Sequence, residues 1–286
     1  MDADRTDPER ATDPGEPAAS PDTDAPVDPA EGTAPTTAAP WEPIAPRIHR
    51  CKDADALAEA AAKRFAETAR AAVARHGHFL VVLAGGSTPR GLYTRLTGEP
   101  YRDSLPWQQT YFAFGDERCV PPDHPDSNYR MADETLFGPL GIPETRVLRM
   151  KGEQPPKEAA RRYEVRLDDL FLLVPRPQFD LVLLGIGPDG HTASLFPGTA
   201  ALDETGRRVV ANHVPRLDAW RLTLTFEALA ATPRVVFMAT GEEKARVVAE
   251  AFGGVEHAAP HPCERVASPH THRDVFVDAA AASRLP

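Results

Sequence analysis

The sequence predicts an α/β protein with a doubly wound, mostly parallel sheet and helices on both faces. Three observations predict it. Apolar runs of strand length, such as Phe79-Leu80-Val81-Val82-Leu83, have the unbroken hydrophobic character of strands buried on both faces. Amphipathic stretches of helical length lie between most of these runs. Strands separated by such helices imply right-handed βαβ crossovers.

The elements follow in chain order. Residues 1–40 hold ten acidic residues against Arg5 and Arg10, with a proline every few positions and no apolar periodicity. They cannot bury enough surface to offset the entropy of ordering and read as a disordered acidic tail, either a docking arm for a partner or a solvating extension. From Trp41 the pattern changes, and residues 41–286 read as a single α/β catalytic domain. Asp53 is placed to cap a helix through Leu57, Ala61, Phe65, Ala69 and Ala72, with Gly77 as its stop. The strand Phe79 to Leu83 leads through a glycine loop into a helix from Gly91 to Leu96. Further strands are expected at Tyr111 to Phe114, Arg146 to Met150, Phe179 to Leu184, Val209 to Asn212, Arg221 to Thr225 and Val235 to Ala239. Helices are expected to start at Asp126 or Ser127, and to span Lys157 to Phe171 and Glu242 to Phe252.

Composition narrows the function. The formal charge is -10, and residues 1–40 carry -8 of it, so the remainder is close to neutral. No basic run or stripe offers a footprint for nucleic acid. No uncharged apolar run reaches membrane-spanning length, and the N-terminus is acidic, which argues against secretion and for a cytoplasmic location. Cys51, Cys119 and Cys263 are too few and too widely spaced for a disulfide framework or a CxxC metal pattern, and read as reduced thiols. An anionic substrate would have to be met by a few local cations. Oligomeric state is left between monomer and small homo-oligomer.

In an open α/β sheet, ligands bind beyond the carboxyl ends of the strands, so the loops after strands are the informative places. The first is Ala84-Gly85-Gly86-Ser87-Thr88-Pro89-Arg90. Gly85 and Gly86 allow close backbone approach, Ser87 and Thr88 offer hydroxyls, and free N–H groups at a helix start favour a phosphate. A capped strand-to-helix turn explains the same residues. No Walker lysine follows, so nucleotide hydrolysis is not indicated. The second loop, Gly115-Asp116-Glu117-Arg118-Cys119-Val120-Pro121, puts charge where the sheet opens to solvent. Such charge is costly unless paired or used. Arg118 is a candidate for holding an anion or stabilising an oxyanion, whereas Glu117 fits a structural network at least as well.

The third loop runs from Gly185 to Thr199 and begins with a literal GxGxxG. A dinucleotide fingerprint must run into a helix of about three turns, and Pro197-Gly198 breaks the chain soon after His191. The loop instead presents Asp189 and His191 between glycines. A neutral imidazole is the ordinary side chain for taking a proton from water, and an aspartate two residues earlier can orient it. Arg221, at the start of a strand, and Lys244, in the first turn of a helix, complete the set; a bound anion would explain a lysine that opposes a helix dipole.

Over Trp41 to Leu285 the sequence resembles the 6-phosphogluconolactonases. The likeness is carried by Leu83-Ala84-Gly85-Gly86-Ser87-Thr88-Pro89, by Gly115 to Pro121 and by Gly187 to Thr199, with weaker matches at Arg221 to Thr225 and Thr240 to Ala245 and a loose fit at Val275 to Ala282. The resemblance implies a modified Rossmann fold shared with the glucosamine-6-phosphate deaminases, and hydrolysis of 6-phospho-D-glucono-1,5-lactone in the oxidative pentose phosphate pathway. It implies His191 as general base, Asp189 as its support and Arg118 as a substrate-binding or charge-stabilising group. Gly85, Gly86, Ser87, Thr88, Arg221 and Lys244 would form the phosphate site, and Asp116 is a further candidate substrate contact. No metal, nucleotide or other cofactor is called for, because a lactone is already electrophilic. The deaminases carry a glutamate where Phe196 stands here, which favours the lactonase. A deaminase or isomerase, and a non-catalytic sugar-phosphate sensor, are the rival readings.

Overall fold

Chain entry is through the edge strand β1 (Arg47–Arg50), which leads into the long helix α1 (Ala54–His76). The side chain of Asp53 accepts the Ala56 N–H at 2.8 Å, and Gly77 takes a left-handed φ of 84° that ends the helix. Its stripe of Leu57, Ala61, Phe65, Ala69 and Ala72 is buried, so start, stop and inner face all follow the sequence signals. The computed structural model describes residues 43–174 and 178–286, and the expected acidic tail lies outside them.

The remaining strands are β2 (Phe79–Leu83), β3 (Thr110–Phe114), β4 (Asp116–Arg118), β5 (Leu181–Gly185), β6 (Val209–Val214), β7 (Ala219–Leu224), β8 (Arg234–Ala239) and β9 (His272–Val277). Six of them form one parallel sheet in the order β1-β9-β8-β5-β2-β3. Every residue of β2 is buried, so both faces of the sheet are covered at its centre. Helices α2 (Ser87–Leu96), α3 (Pro156–Leu173) and α4 (Ala245–Phe252) make the principal connections with α1. Two buried tyrosines fasten helices to strand ends. The Tyr93 hydroxyl donates to the Ala84 carbonyl and accepts its N–H, and the Tyr163 hydroxyl accepts the Phe114 N–H at 2.9 Å.

Three expectations are corrected. Val209 to Asn212 and Arg221 to Thr225 do not join the βαβ series: β6 and β7 pair antiparallel, and with β4 they make a separate three-stranded sheet in the order β4-β7-β6. Four residues, Pro215 to Asp218, join them, far fewer than a parallel crossover needs. Arg146 to Met150 is not a strand; after a 3-10 turn at Glu144–Arg146 it contributes one parallel bridge, Val147 to Phe112, at the sheet edge. The last helix is shorter than expected, because Glu242–Lys244 forms a 3-10 turn and the α-helix begins at Ala245. The strands β1 and β9, absent from the expected set, close the other edge of the large sheet.

Candidate active site

The loops after β2, β3 and β5 meet because those strands are neighbours in the sheet, and β8 adds its own loop from the other side of β5. Together with the β6–β7 hairpin they enclose a cleft of about 370 Å³, a volume suited to a small metabolite. Gly85, Gly86, Asp116, Arg118, His191, Arg221 and Lys244 all line it.

Asp189 and His191 form a close polar couple at the cleft, with Nδ1 of the ring 2.5 Å from Asp189 Oδ1. A tight turn brings them together. The Gly187 N–H donates to the His191 carbonyl at 2.8 Å and the Gly190 N–H to the Gly187 carbonyl at 2.9 Å. Gly187 has to lack a side chain, since a Cβ there would fall 1.9 Å from His191 Nδ1 and 2.7 Å from Asp189 Oδ1. The imidazole is stacked on Phe196, with centroids 4.1 Å apart, and the Arg216 guanidinium lies 4.8 Å from the Phe196 ring centre while bonding Asp189 Oδ2 at 2.8 Å. Burial opposes ionisation of Asp189. The hydrogen bond and charge of His191, with the charge of Arg216, outweigh it and bring the carboxyl down to about 2. With Asp189 ionised, Nδ1 is a proton donor, so in the neutral ring the lone pair lies on Nε2.

The second loop is a positioning device. Glu117 is 2% exposed and accepts the N–H groups of Arg118, Asn128 and Tyr129 at 2.8 to 2.9 Å, along with the Ser127 hydroxyl at 3.1 Å. It therefore ties β4 to the helix start at Asn128, and burial still pushes its carboxyl up against those bonds. Asp116 is gripped by Asn128 Nδ2 at 3.2 Å and by the Ser194 hydroxyl at 2.6 Å, which joins it to the loop that carries His191. Gly85 abuts this clamp: a Cβ there would lie 1.9 Å from Asn128 Oδ1.

Arg118 and Arg221 are cross-strand partners on β4 and β7. Neither has an ion-pairing carboxylate among the described residues; the Arg118 guanidinium donates to the Asp126 carbonyl and Arg221 to the Trp220 carbonyl. Burial, and next the charge of Arg118, hold the Arg221 guanidinium below its ordinary value, and burial does the same to Lys244. Sheltered cations that repel one another favour an anion between them. Ser87 and Thr88 are placed differently. Both residues line a neighbouring depression with Arg90 and Thr240, and the Thr88 hydroxyl lies 2.8 Å from that of Thr240. What the start of α2 turns to the cleft is the backbone at Gly85 and Gly86; no side chain caps this helix.

Sequence reasoning did not find Arg216, Ser194 or a role for Asn128. Arg216 sits in the hairpin turn between β6 and β7, and nothing local marks a residue that bonds an aspartate 27 positions earlier. Asn128 stands in the Asp126-Ser127-Asn128-Tyr129 segment that follows the second loop, and its polar amide there was the available signal.

A parallel sheet of this order, with an Asp–His couple beyond its carboxyl edge and sheltered cations around it, defines an α/β protein with an anion-receptive cleft beside a potential general base. Residues 52–276 match the family model described as glucosamine-6-phosphate isomerases/6-phosphogluconolactonase, and the chain belongs to that family. It is 36% identical over 252 residues to a 6-phosphogluconolactonase of Streptomyces coelicolor, covering 84% of this chain and 94% of that one. It is 33% identical over 205 residues to a 6-phosphogluconolactonase of Haemophilus influenzae, covering 72% and 87% respectively. The solved 6-phosphogluconolactonase from Trypanosoma cruzi superposes with a TM-score of 0.75 at 29% identity, over 86% of this chain and 98% of that one.

Proposed function

We propose that the chain hydrolyses 6-phospho-D-glucono-1,5-lactone to 6-phosphogluconate, as a cytoplasmic enzyme of the oxidative pentose phosphate pathway. The observation that carries the reading is the Asp189–His191 couple, 2.5 Å apart, at a cleft lined by Arg118, Arg216, Arg221 and Lys244. The substrate's phosphate rests on Arg221, Lys244 and the uncapped start of α2, where Ser87 and Thr88 contribute backbone N–H groups rather than hydroxyls. The lactone carbonyl lies toward His191. Nε2 takes a proton from water as the water oxygen bonds to C1, and Arg118 offers positive charge to the resulting oxyanion. The C1–O5 bond then breaks, the imidazolium returns the proton to O5, and the new carboxylic acid ionises. Asp189 steadies the imidazolium while it carries that proton.

Phe196 bears on the deaminase reading. It stands at the position where the resemblance implies a glutamate in the deaminases; here an aromatic ring is stacked on His191, and the carboxylate bonded to this histidine is Asp189. The test is hydrolysis of freshly made phosphogluconolactone with the spontaneous rate subtracted. His191→Asn should lose about 10²- to 10⁴-fold in kcat; full activity in that variant would remove His191 from the reaction. Ammonia release from glucosamine 6-phosphate would instead reveal a deaminase, and tight binding without turnover a sensor.

A further inference from the structure

Between α4 and β9 the loop carries His257, His261 and Glu264, and one ligand atom from each lies within 4.8 Å of the other two. One nitrogen of each histidine is already committed to an acceptor outside the group. His257 Nδ1 is 3.0 Å from the Val255 carbonyl, and His261 Nε2 is 2.8 Å from Glu250 Oε2. Carbonyl and ionised carboxylate oxygens only accept, so both nitrogens are N–H donors and the lone pairs fall on His257 Nε2 and His261 Nδ1. Consistent with this, the His261 side chain accepts the Glu264 backbone N–H. His257 Nε2 faces Glu264 Oε2 at 2.9 Å. Glu264 Oε2 already accepts the His261 backbone N–H at 2.6 Å, and two acceptors at that distance need a proton or a metal ion between them.

We propose that His257, His261 and Glu264 form a binding site for a divalent transition ion of the Zn²⁺ class, separate from the lactone cleft. Two imidazoles and one carboxylate are a donor set for such an ion, with water as fourth ligand, whereas Mg²⁺ and Ca²⁺ prefer oxygen alone. The carbonyl of Val255 and the carboxylate of Glu250 fix the ring orientations as outer partners of metal-bound histidines do. Glu264 keeps a backbone bond to the His261 carbonyl, at 3.0 Å, when its N–H gives up the ring. Cys263 is not a ligand, since its thiol is wholly buried in the core. The site is joined to the reaction loop: the Cys263 N–H donates to the Gly190 carbonyl at 3.0 Å, and a Cβ on Gly190 would meet the His261 ring at 2.5 Å. A bound ion therefore braces the residue next to His191.

The experiment is a Zn²⁺ titration of the full chain, free of any polyhistidine tag and stripped of metal, against a chromophoric chelator. The expected result is one tightly held Zn²⁺ per chain, not displaced by excess Mg²⁺. His257→Ala combined with His261→Ala should weaken binding at least about 100-fold, and Glu250→Gln about 10- to 100-fold. His191→Asn should leave stoichiometry and affinity unchanged, which separates this site from the cleft. Co²⁺ in place of Zn²⁺ should give a visible absorption band that the double variant lacks. If the double variant fails to fold, His257→Gln alone carries the comparison. Absence of stoichiometric Zn²⁺, undiminished binding in the histidine variants, or loss of binding in His191→Asn overturns the proposal; the first outcome would mean that a proton holds His257 to Glu264.

Discussion

At His191, one hydrogen bond determines which ring nitrogen is free. Asp189 accepts a hydrogen bond from Nδ1–H, so Nε2 is the available base. An asparagine at 189 can present its N–H to the ring instead, which reverses the tautomer and puts the proton on Nε2. Asp189→Asn should therefore lower kcat about 10²-fold or more with little change in KM, measured with the same lactone assay. The same carboxylate bears on acid stability. Folding lowers its pKa from 3.8 to about 2, so the folded chain holds this proton less readily than the unfolded one. The resulting stabilisation, at most about 2 kcal/mol, is complete above the unfolded pKa and disappears as pH falls through the folded one. Urea unfolding between pH 6 and 2 should show a smaller acid loss in Asp189→Asn than in the unsubstituted chain. An equal loss in both would mean that other carboxylates govern the acid limb.

The loop elements divide into those that hold and those that present. Glu117 holds: three backbone N–H groups and one hydroxyl converge on a carboxylate that is 2% exposed. Glu117→Ala strands those donors and should cost about 2–4 kcal/mol, read as a lowered urea midpoint. The turn at Gly187 presents: Gly187→Ala forces a methyl onto the imidazole, and the expected outcome is a fall in kcat with the urea midpoint nearly unchanged. Helices were the most legible elements, because capping and stop signals such as Asp53 and Gly77 are local chemistry. The central strands were legible as apolar runs, and their neighbours brought the three glycine- and charge-bearing loops together. The short edge strand Arg47–Arg50 has Ile48 as its one aliphatic residue and no apolar run, so it gave no periodic signal. Whether a strand such as β6 joins a parallel or an antiparallel sheet depends on how far the chain travels next, and only the brevity of Pro215 to Asp218 hinted at it. The Arg216–Asp189 pair was beyond reach for the same reason, since the hairpin had first to fold back over the cleft.

Over the whole molecule, the formal charge of -10 says little about the cleft, because residues 1–40 hold most of the excess. An anionic substrate is drawn by local cations whose field reaches roughly 10 Å at 0.1 M salt and about 3 Å at 1 M. KM for the phosphorylated lactone should rise with ionic strength, and Lys244→Ala should raise KM and flatten that dependence while kcat changes little. A KM indifferent to both salt and Lys244 would take the phosphate away from this lysine. The two sheets also share out the cleft unequally. Asp189 and His191 follow β5 of the parallel sheet, whereas Arg118, Arg216 and Arg221 belong to β4 and the β6–β7 hairpin of the antiparallel one. Mutation during descent can therefore reshape the cleft wall at Leu217 on a frame that leaves the Asp189–His191 loop in place, whereas any change at Arg216 also removes the ion pair to Asp189. A laboratory exchange of Leu217 that keeps Arg216 is the corresponding route to new substrates.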